Sequence, residues 1–355
     1  MRHAMTANIQ DTPAAVARSL VRLNNGYAEA AVLHSAVELG LFEQLASGPA
    51  DIGELMDRLR LHPRLVRDFL DALVGLGLLE KDEGRYSNSS PVTQFLLPTS
   101  PFYLGGVMTR SSSHHYRMWG RLTEALRDGQ PKSDGLGGKN AFKDKYADTE
   151  VTRQFLAHMD SYNGYAGPQI AQRLDWTRFR SFVDCGGARG NLAAQLVTAH
   201  PHLTAGVFDL PALRPYFDEH MARLGLGDSV TFHGGDFFVD PLPRTDVLIL
   251  GHVLHDWPEE NRRLLLKRAW AAVAPGGAVV IYDQMLDADR SDPHKLLASL
   301  NVRLVREGGS EYTAAECADW AEAAGFQVTQ VVELETIGRD TMVVAERPAA
   351  EGAGA

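Results

Sequence analysis

Cysteine is scarce in this chain, with only Cys185 and Cys317 among 355 residues. Two thiols give neither a disulfide framework nor zinc-finger spacing, and both read as small apolar residues of a reducing compartment. No uncharged run reaches the ~20 residues a helix needs to span a bilayer. Met1 to Ala17 lacks the apolar centre of a secretion signal, so a cytoplasmic place and no membrane partner are expected. Positive charge is also short. The 35 Lys and Arg against 45 Asp and Glu leave a net charge of −10, which argues against a broad polyanion-binding surface and against a nucleic-acid partner. There is no internal repeat.

What is present begins with Asp184-Cys185-Gly186-Gly187-Ala188-Arg189-Gly190. The run Ser181-Phe182-Val183 before it reads as a strand, and Leu192 to Val197 after it as a helix. Glycines let the backbone turn tightly and approach a ligand, and the helix start offers unpaired N–H donors. A second strand, Thr204 to Asp209, ends in a carboxylate about 20 residues beyond Gly190, the place of a ribose-holding acid in nucleotide folds. The turn is not G-x-G-x-x-G, so a nicotinamide is not the first expectation.

The length suits two domains, each with its own core. Residues 14–46, 52–59 and 63–76 read as helices, and the Gly77–Glu80 and Gly84–Ser87 stretches as a hairpin, an outline of three helices and a wing. As a DNA reader it is poor, because Arg64 and Arg67 share their helix with Asp68 and Asp71. As a dimerisation domain it has apolar faces to offer in Leu20, Leu23, Ala30, Ala31 and Leu41. Residues 101–175 read as helical with a Gly129–Lys139 loop, and Trp119, Phe155, Met159 and Tyr162 are candidates for either pocket or core. From 178 on, strands at 181–185, 204–209, 229–233, 245–250 and 277–283 alternate with helices, which predicts a parallel doubly wound sheet. Two last strands, near 326–334 and 340–346, should form an antiparallel edge pair.

Asp236, with Phe237 beside it, follows the third strand and suits an adenine amino group and ring. Gly251-His252-Val253-Leu254-His255-Asp256-Trp257-Pro258 follows the fourth, which places His255 at the carboxyl end of the sheet, where open α/β folds bind ligands. A histidine there takes up a proton near neutral pH. Asp283, at the end of the fifth strand, and Glu311, in Gly308-Gly309-Ser310-Glu311-Tyr312-Thr313, are the acids that would orient it.

With the glycine turn, the strand-end acid, H-D-W-P and G-G-x-E-x-T in place, residues from about 15 to 347 resemble the S-adenosylmethionine-dependent O-methyltransferases of the plant caffeate and flavonoid type, a family that includes bacterial enzymes of antibiotic biosynthesis. The resemblance implies an α/β, Rossmann-like, mostly parallel methyltransferase sheet behind an α-helical, winged-helix-like dimerisation domain, and a homodimer. Expected boundaries are 1–105 for dimerisation, 106–177 for a linker and substrate pocket, 178–347 for catalysis and 348–355 for a disordered tail. It implies S-adenosylmethionine as cofactor, released as S-adenosylhomocysteine. Asp184, Gly186, Gly187 and Gly190 would meet its methionine end, Asp209 and Leu210 its ribose, and Asp236 and Phe237 its adenine. His255 would be the base, flanked by Asp283 and Glu311, acting on a hydroxyl of a small aromatic or polyketide-like metabolite.

Some positions depart from the pattern. Ala188 replaces a glycine, Gly251 stands where many relatives have Lys, so that the cofactor contact there is lost or made by backbone, and Asp283 is shorter than the usual Glu. Arg303 and Arg306 lie where relatives place apolar residues, either to bind a carboxylate or as a solvated face. A rival reading is metal-dependent C-methylation of a 2-oxo acid, with His255, His294 and Glu311 as ligands. Another is a non-catalytic, DNA-associated regulator that binds the same cofactor.

Overall fold

The computed structural model describes residues 12–133, 142 and 146–349. The last six residues of the Gly129–Lys139 loop and of the 348–355 tail lie outside them. The chain divides after Ser112 into two compact units.

In the first unit the helix Pro13–Glu38 starts on Thr12, whose hydroxyl accepts from Ala15 N. Asp51 and Glu54 form a capping box on the helix Ile52–Leu59, and Pro63 opens the helix Pro63–Gly75. The wing is β2 (Leu79–Asp82) and β3 (Arg85–Asn88), joined through Glu83 and Gly84, both at positive φ as a tight hairpin turn requires. The two-residue strand β1 (Ala50–Asp51), too short to show any period, completes a sheet of order β1-β3-β2. Leu41, Phe42, Leu55, Leu70 and Leu73 are fully buried at its centre. Truncating one such leucine costs about 2–5 kcal/mol. Leu41 is therefore committed to the unit's own core and is not available to an interface, whereas Leu20 and Leu23 are exposed.

The second unit carries a seven-stranded sheet of order β6-β5-β4-β7-β8-β10-β9. These are β4 (Ser181–Cys185), β5 (Thr204–Asp209), β6 (Val230–Gly234), β7 (Thr245–Gly251), β8 (Val273–Asp283), β9 (Gln327–Glu333) and β10 (Thr341–Glu346). The first five are parallel, and β10 and β9 add the expected antiparallel pair. Central strands are buried along their length because helices cover both faces, while edge β9 alternates. β8 begins four residues earlier than its apolar run, since Val273 already pairs with Thr245. Strand order reverses between β4 and β7, which opens a crevice beyond their carboxyl ends.

Candidate active site

A cavity of about 650 Å³ occupies that crevice. Asp184, Gly186, Gly187, Asp209, Leu210, Asp236, Phe237 and Gly251 all line it. Gly186 has φ +82°, and a Cβ there would come within 2.7 Å of Val253; one on Gly187 would come within 2.5 Å of the Asp184 carboxylate. Only glycines let the turn lie this low. Gly190, also at φ +82°, is not among the walls; it caps the helix Asn191–Ala199 and packs on Phe217. Ala188 takes the departed glycine's place at φ +51°, a left-handed conformation that strains a residue with a Cβ.

Asp209 fixes the turn from the next strand. Its Oδ2 accepts from Ala188 N at 2.8 Å and its Oδ1 from Leu210 N at 2.7 Å. Below the turn, burial and the Asp209 charge push the Asp184 carboxyl up to about 7. Phe237 packs edge-on to Phe238 and Trp257, which makes an aromatic end to the cavity. At Gly251 a Cβ would overlap the ring of Tyr282, which comes from the neighbouring strand. Tyr282 donates to Asn163 Oδ1 at 3.1 Å.

His255 sits on a single turn, Leu254–Asp256, just beyond β7. Its Nδ1 lies 2.6 Å from Glu311 Oε1 and 3.3 Å from Asp283 Oδ1, and both acids are fully buried. The H-bond to Glu311 selects the Nδ1–H tautomer and leaves Nε2 to take up a proton. Burial opposes charge on this ring, but the two carboxylates outweigh it and lift His255 to about 10. Asp283 is itself raised, by burial and by repulsion from Glu311, while His255 and the Tyr312 hydroxyl, which donates to Oδ2, pull the other way.

The G-G-x-E-x-T run places Glu311 for steric reasons. A Cβ on Gly309 would come within 2.8 Å of Arg306 Cβ and 3.1 Å of the His255 carbonyl, so only glycine lets the two loops touch. Ser310 N then donates to that carbonyl at 2.8 Å, and Thr313 caps the helix Ala314–Ala323. Buried Arg262 clamps both loops, donating to Trp257 O at 2.6 Å and Ser310 O at 2.7 Å. Its own sequence context, a charged helix start, gave no sign of this. His252 was also missed. It is held at φ +51° with its Nδ1 3.8 Å from Asp283 Oδ1 and its Nε2 3.7 Å from Asp340 Oδ1.

Other candidates separate. Phe155 and Met159 line the cavity, but Trp119 donates to Asn301 and Tyr162 stacks against His252. Arg303 is exposed; Arg306 is buried at the cavity wall, 3.3 Å from Asp256 and over the Phe142 ring. His294 does not join His255 and Glu311. Asp292 caps the helix Pro293–Val305 there and leaves His294 exposed on its first turn, and the metal-competent group among the described residues is instead His252, His255 and Asp283.

Residues 119–327 match the O-methyltransferase domain, and residues 21–99 the O-methyltransferase dimerisation domain. The chain belongs to the O-methyltransferase family. Similar proteins include the tetracenomycin polyketide synthesis 8-O-methyl transferase TcmO of Streptomyces glaucescens, 48% identical over 331 residues, 93% of this chain and 96% of that protein. The N,N-dimethyltransferase OxyT of Streptomyces rimosus is 45% identical over 337 residues, 95% of this chain and 98% of its own. Human N-acetylserotonin methyltransferase, solved with S-adenosylmethionine, superposes with a TM-score of 0.87 at 28% identity, covering 96% of this chain and 100% of that one. An O-methyltransferase of this family uses S-adenosylmethionine. Membership sets aside the regulator reading, and the comparisons lend the metal-dependent reading no support.

Proposed function

We propose that the chain methylates a hydroxyl of a small aromatic or polyketide-like metabolite, with His255 as the general base and Asp283 and Glu311 as the acids that hold it. The observation that carries this is the pair of buried carboxylates on Nδ1, at 2.6 and 3.3 Å, beside the crevice. The crevice residues suit the cofactor. A floor of glycines that a Cβ would fill, a strand-end acid and an aromatic end wall match an amino-acid tail, a ribose and an adenine in turn. Gly186 and Gly187 would take the methionine end, Asp209 and Leu210 the ribose, and Asp236 and Phe237 the adenine. When bound, S-adenosylmethionine supplies an electrophilic methyl on a sulfonium.

The chain's part is to position and to handle one proton. A phenol with a pKa near ~10 matches an imidazole lifted to about 10, so proton exchange between them is nearly isoenergetic. The imidazolium then stays paired with Glu311 and Asp283 while the acceptor oxygen carries the negative charge that attack needs. Alignment contributes the larger share of the rate.

The same reading makes the chain a cytoplasmic homodimer through its N-terminal unit, with no nucleic-acid or membrane partner. Its support is the dimerisation match, exposed Leu20, Leu23 and Tyr27, and the pairing of Asp71 with Lys81 on the would-be DNA face. Among the described residues no helix is long and apolar enough to cross a membrane. We keep 106–177 as the region that completes the substrate pocket. The test is a panel of hydroxylated aromatics, amines and 2-oxo acids with labelled S-adenosylmethionine, products read by mass. O-methylated aromatics are expected; methyl transfer only to nitrogen, as OxyT's name describes, or only to carbon, would replace the reading.

A further inference from the structure

Four buried side-chain atoms around the base have no hydrogen-bond partner among the described residues: Asp283 Oδ1, Glu311 Oε2, His252 Nε2 and Asp340 Oδ1. Strand ends bring three of these residues together. His252 follows β7 and donates its backbone N–H to Tyr282 O at 2.9 Å, Asp283 ends β8, and Asp340 precedes β10, whose Thr341 pairs with Asp283. The side chains of Asp283 and Asp340 are wholly buried, and that of His252 is 6% exposed. The two acids flank one imidazole. Its Nδ1 lies 3.8 Å from Asp283 Oδ1 and its Nε2 3.7 Å from Asp340 Oδ1. Both gaps are too long for a hydrogen bond, and a neutral ring has one N–H for two carboxylates. His255 Nδ1 lies 3.3 Å from the same Asp283 oxygen, but its proton is committed to Glu311 Oε1 at 2.6 Å.

Three carboxylates and two imidazoles thus leave acceptors in excess, and a buried acceptor without a donor is costly. A cation suits such a set. One ligating atom each of His252, His255 and Asp283 lie within 4.8 Å of one another. A tetrahedral ion with bonds of about 2.0–2.2 Å holds neighbouring donors roughly 3.3–3.6 Å apart, so small side-chain movements suffice. Imidazoles favour a transition ion over Mg2+. Asp340 stands on the far nitrogen of His252, the place of the outer carboxylate behind a metal-bound histidine. His252 also lines the crevice cavity, which gives an ion its way in. We propose that His252, His255 and Asp283 form an inhibitory site for a divalent transition-metal ion such as Zn2+, with Asp340 holding His252 from behind. The ion takes no part in methyl transfer; it disables the base, and to that extent the proposal rests on the reading of His255 above. Bound at Nδ1, it displaces the proton there. From the neutral ring that proton moves to Nε2, and from the imidazolium it leaves to solvent. Either way Nε2 keeps a proton and cannot take one from the acceptor.

The test uses the full chain, stripped with a chelator and dialysed. Zn2+ and Mg2+ are titrated into turnover of whichever hydroxylated aromatic it methylates fastest, and Co2+ binding is read by visible absorption and calorimetry. Saturating Zn2+ should cut turnover about 10²–10⁴-fold, the loss of a general base, and Mg2+ at the same concentrations should not. Co2+ should bind once per chain with a tetrahedral spectrum. Asp340→Asn should raise both the half-inhibiting Zn2+ concentration and the Co2+ Kd about 10-fold, and His252→Phe about 100-fold. Each variant is compared with its own metal-free rate and melting temperature. No tetrahedral Co2+ spectrum, or equal Zn2+ inhibition in the wild type and both variants, would overturn the site and leave hydroxyl methylation intact. Stoichiometric binding with turnover unchanged or raised would overturn both the inhibition and His255 as a free base.

Discussion

The crevice cavity and the imidazole–carboxylate cluster stand on the same strand ends, yet they are made of different material. The cavity has a floor of glycines. Gly186, Gly187 and Gly251 remove side chains so that main chain and neighbouring rings form the walls, and its residues are grouped within short runs of sequence. The cluster is all side chain, from positions 255, 283 and 311, and it works by crowding buried charge rather than by clearing space. A change of shape should therefore damage the first, and a change of charge the second.

The sharpest way to break the comparison is His255→Ala. Turnover should fall about 10²–10⁴-fold, with S-adenosylmethionine affinity by calorimetry unchanged; a parallel loss of affinity would mean the two regions are one. Gly251→Ala should do the reverse. Its Cβ overlaps the Tyr282 ring, and such overpacking costs about 1–3 kcal/mol in cofactor binding or in unfolding free energy. Combining it with Tyr282→Leu should restore most of the loss, and additive damage in the double variant would contradict the steric account.

Charge is tested through pH. The neutral form of His255, lifted to about 10, grows as pH rises, so kcat/KM should climb from pH 7 toward 10. Glu311→Gln removes the largest upward influence and should move that rising limb down by about 1–3 pH units. Stability runs the other way. A histidine whose folded value is raised stabilises the fold fully below about 6.5 and loses that contribution as pH rises through about 10. The melting temperature should therefore fall across this window, and by less in His255→Ala. The smallest effect is expected from Ala188→Gly. Relief of the left-handed strain should raise stability by up to about 1 kcal/mol in denaturant melts, partly offset by glycine's extra freedom when unfolded.

The sheet was legible because its strands are short apolar runs between glycines, and because acids close them at Asp184, Asp209 and Asp283. That His255 meets Asp283 and Glu311 was legible through local motifs. What stayed hidden lay in contacts with no local period. β1 is two residues long, and Arg262 looks like any charged residue of a helix start. His252 differs from His255 only in where a left-handed backbone turns it. Leu41 was read as interface because apolar spacing on a helix does not say which apolar neighbour it meets. His294, the second residue of the helix Pro293–Val305, gives its backbone N–H to the capping Asp292 and leaves its side chain exposed.

The Arg262 clamp ties two loops together. One guanidinium holds the backbone carbonyl of Trp257, whose ring lies at the aromatic end of the crevice, and that of Ser310, next to Glu311. Both loops thus hang on one buried anchor, and removing that side chain would leave two main-chain acceptors short of their donor at once.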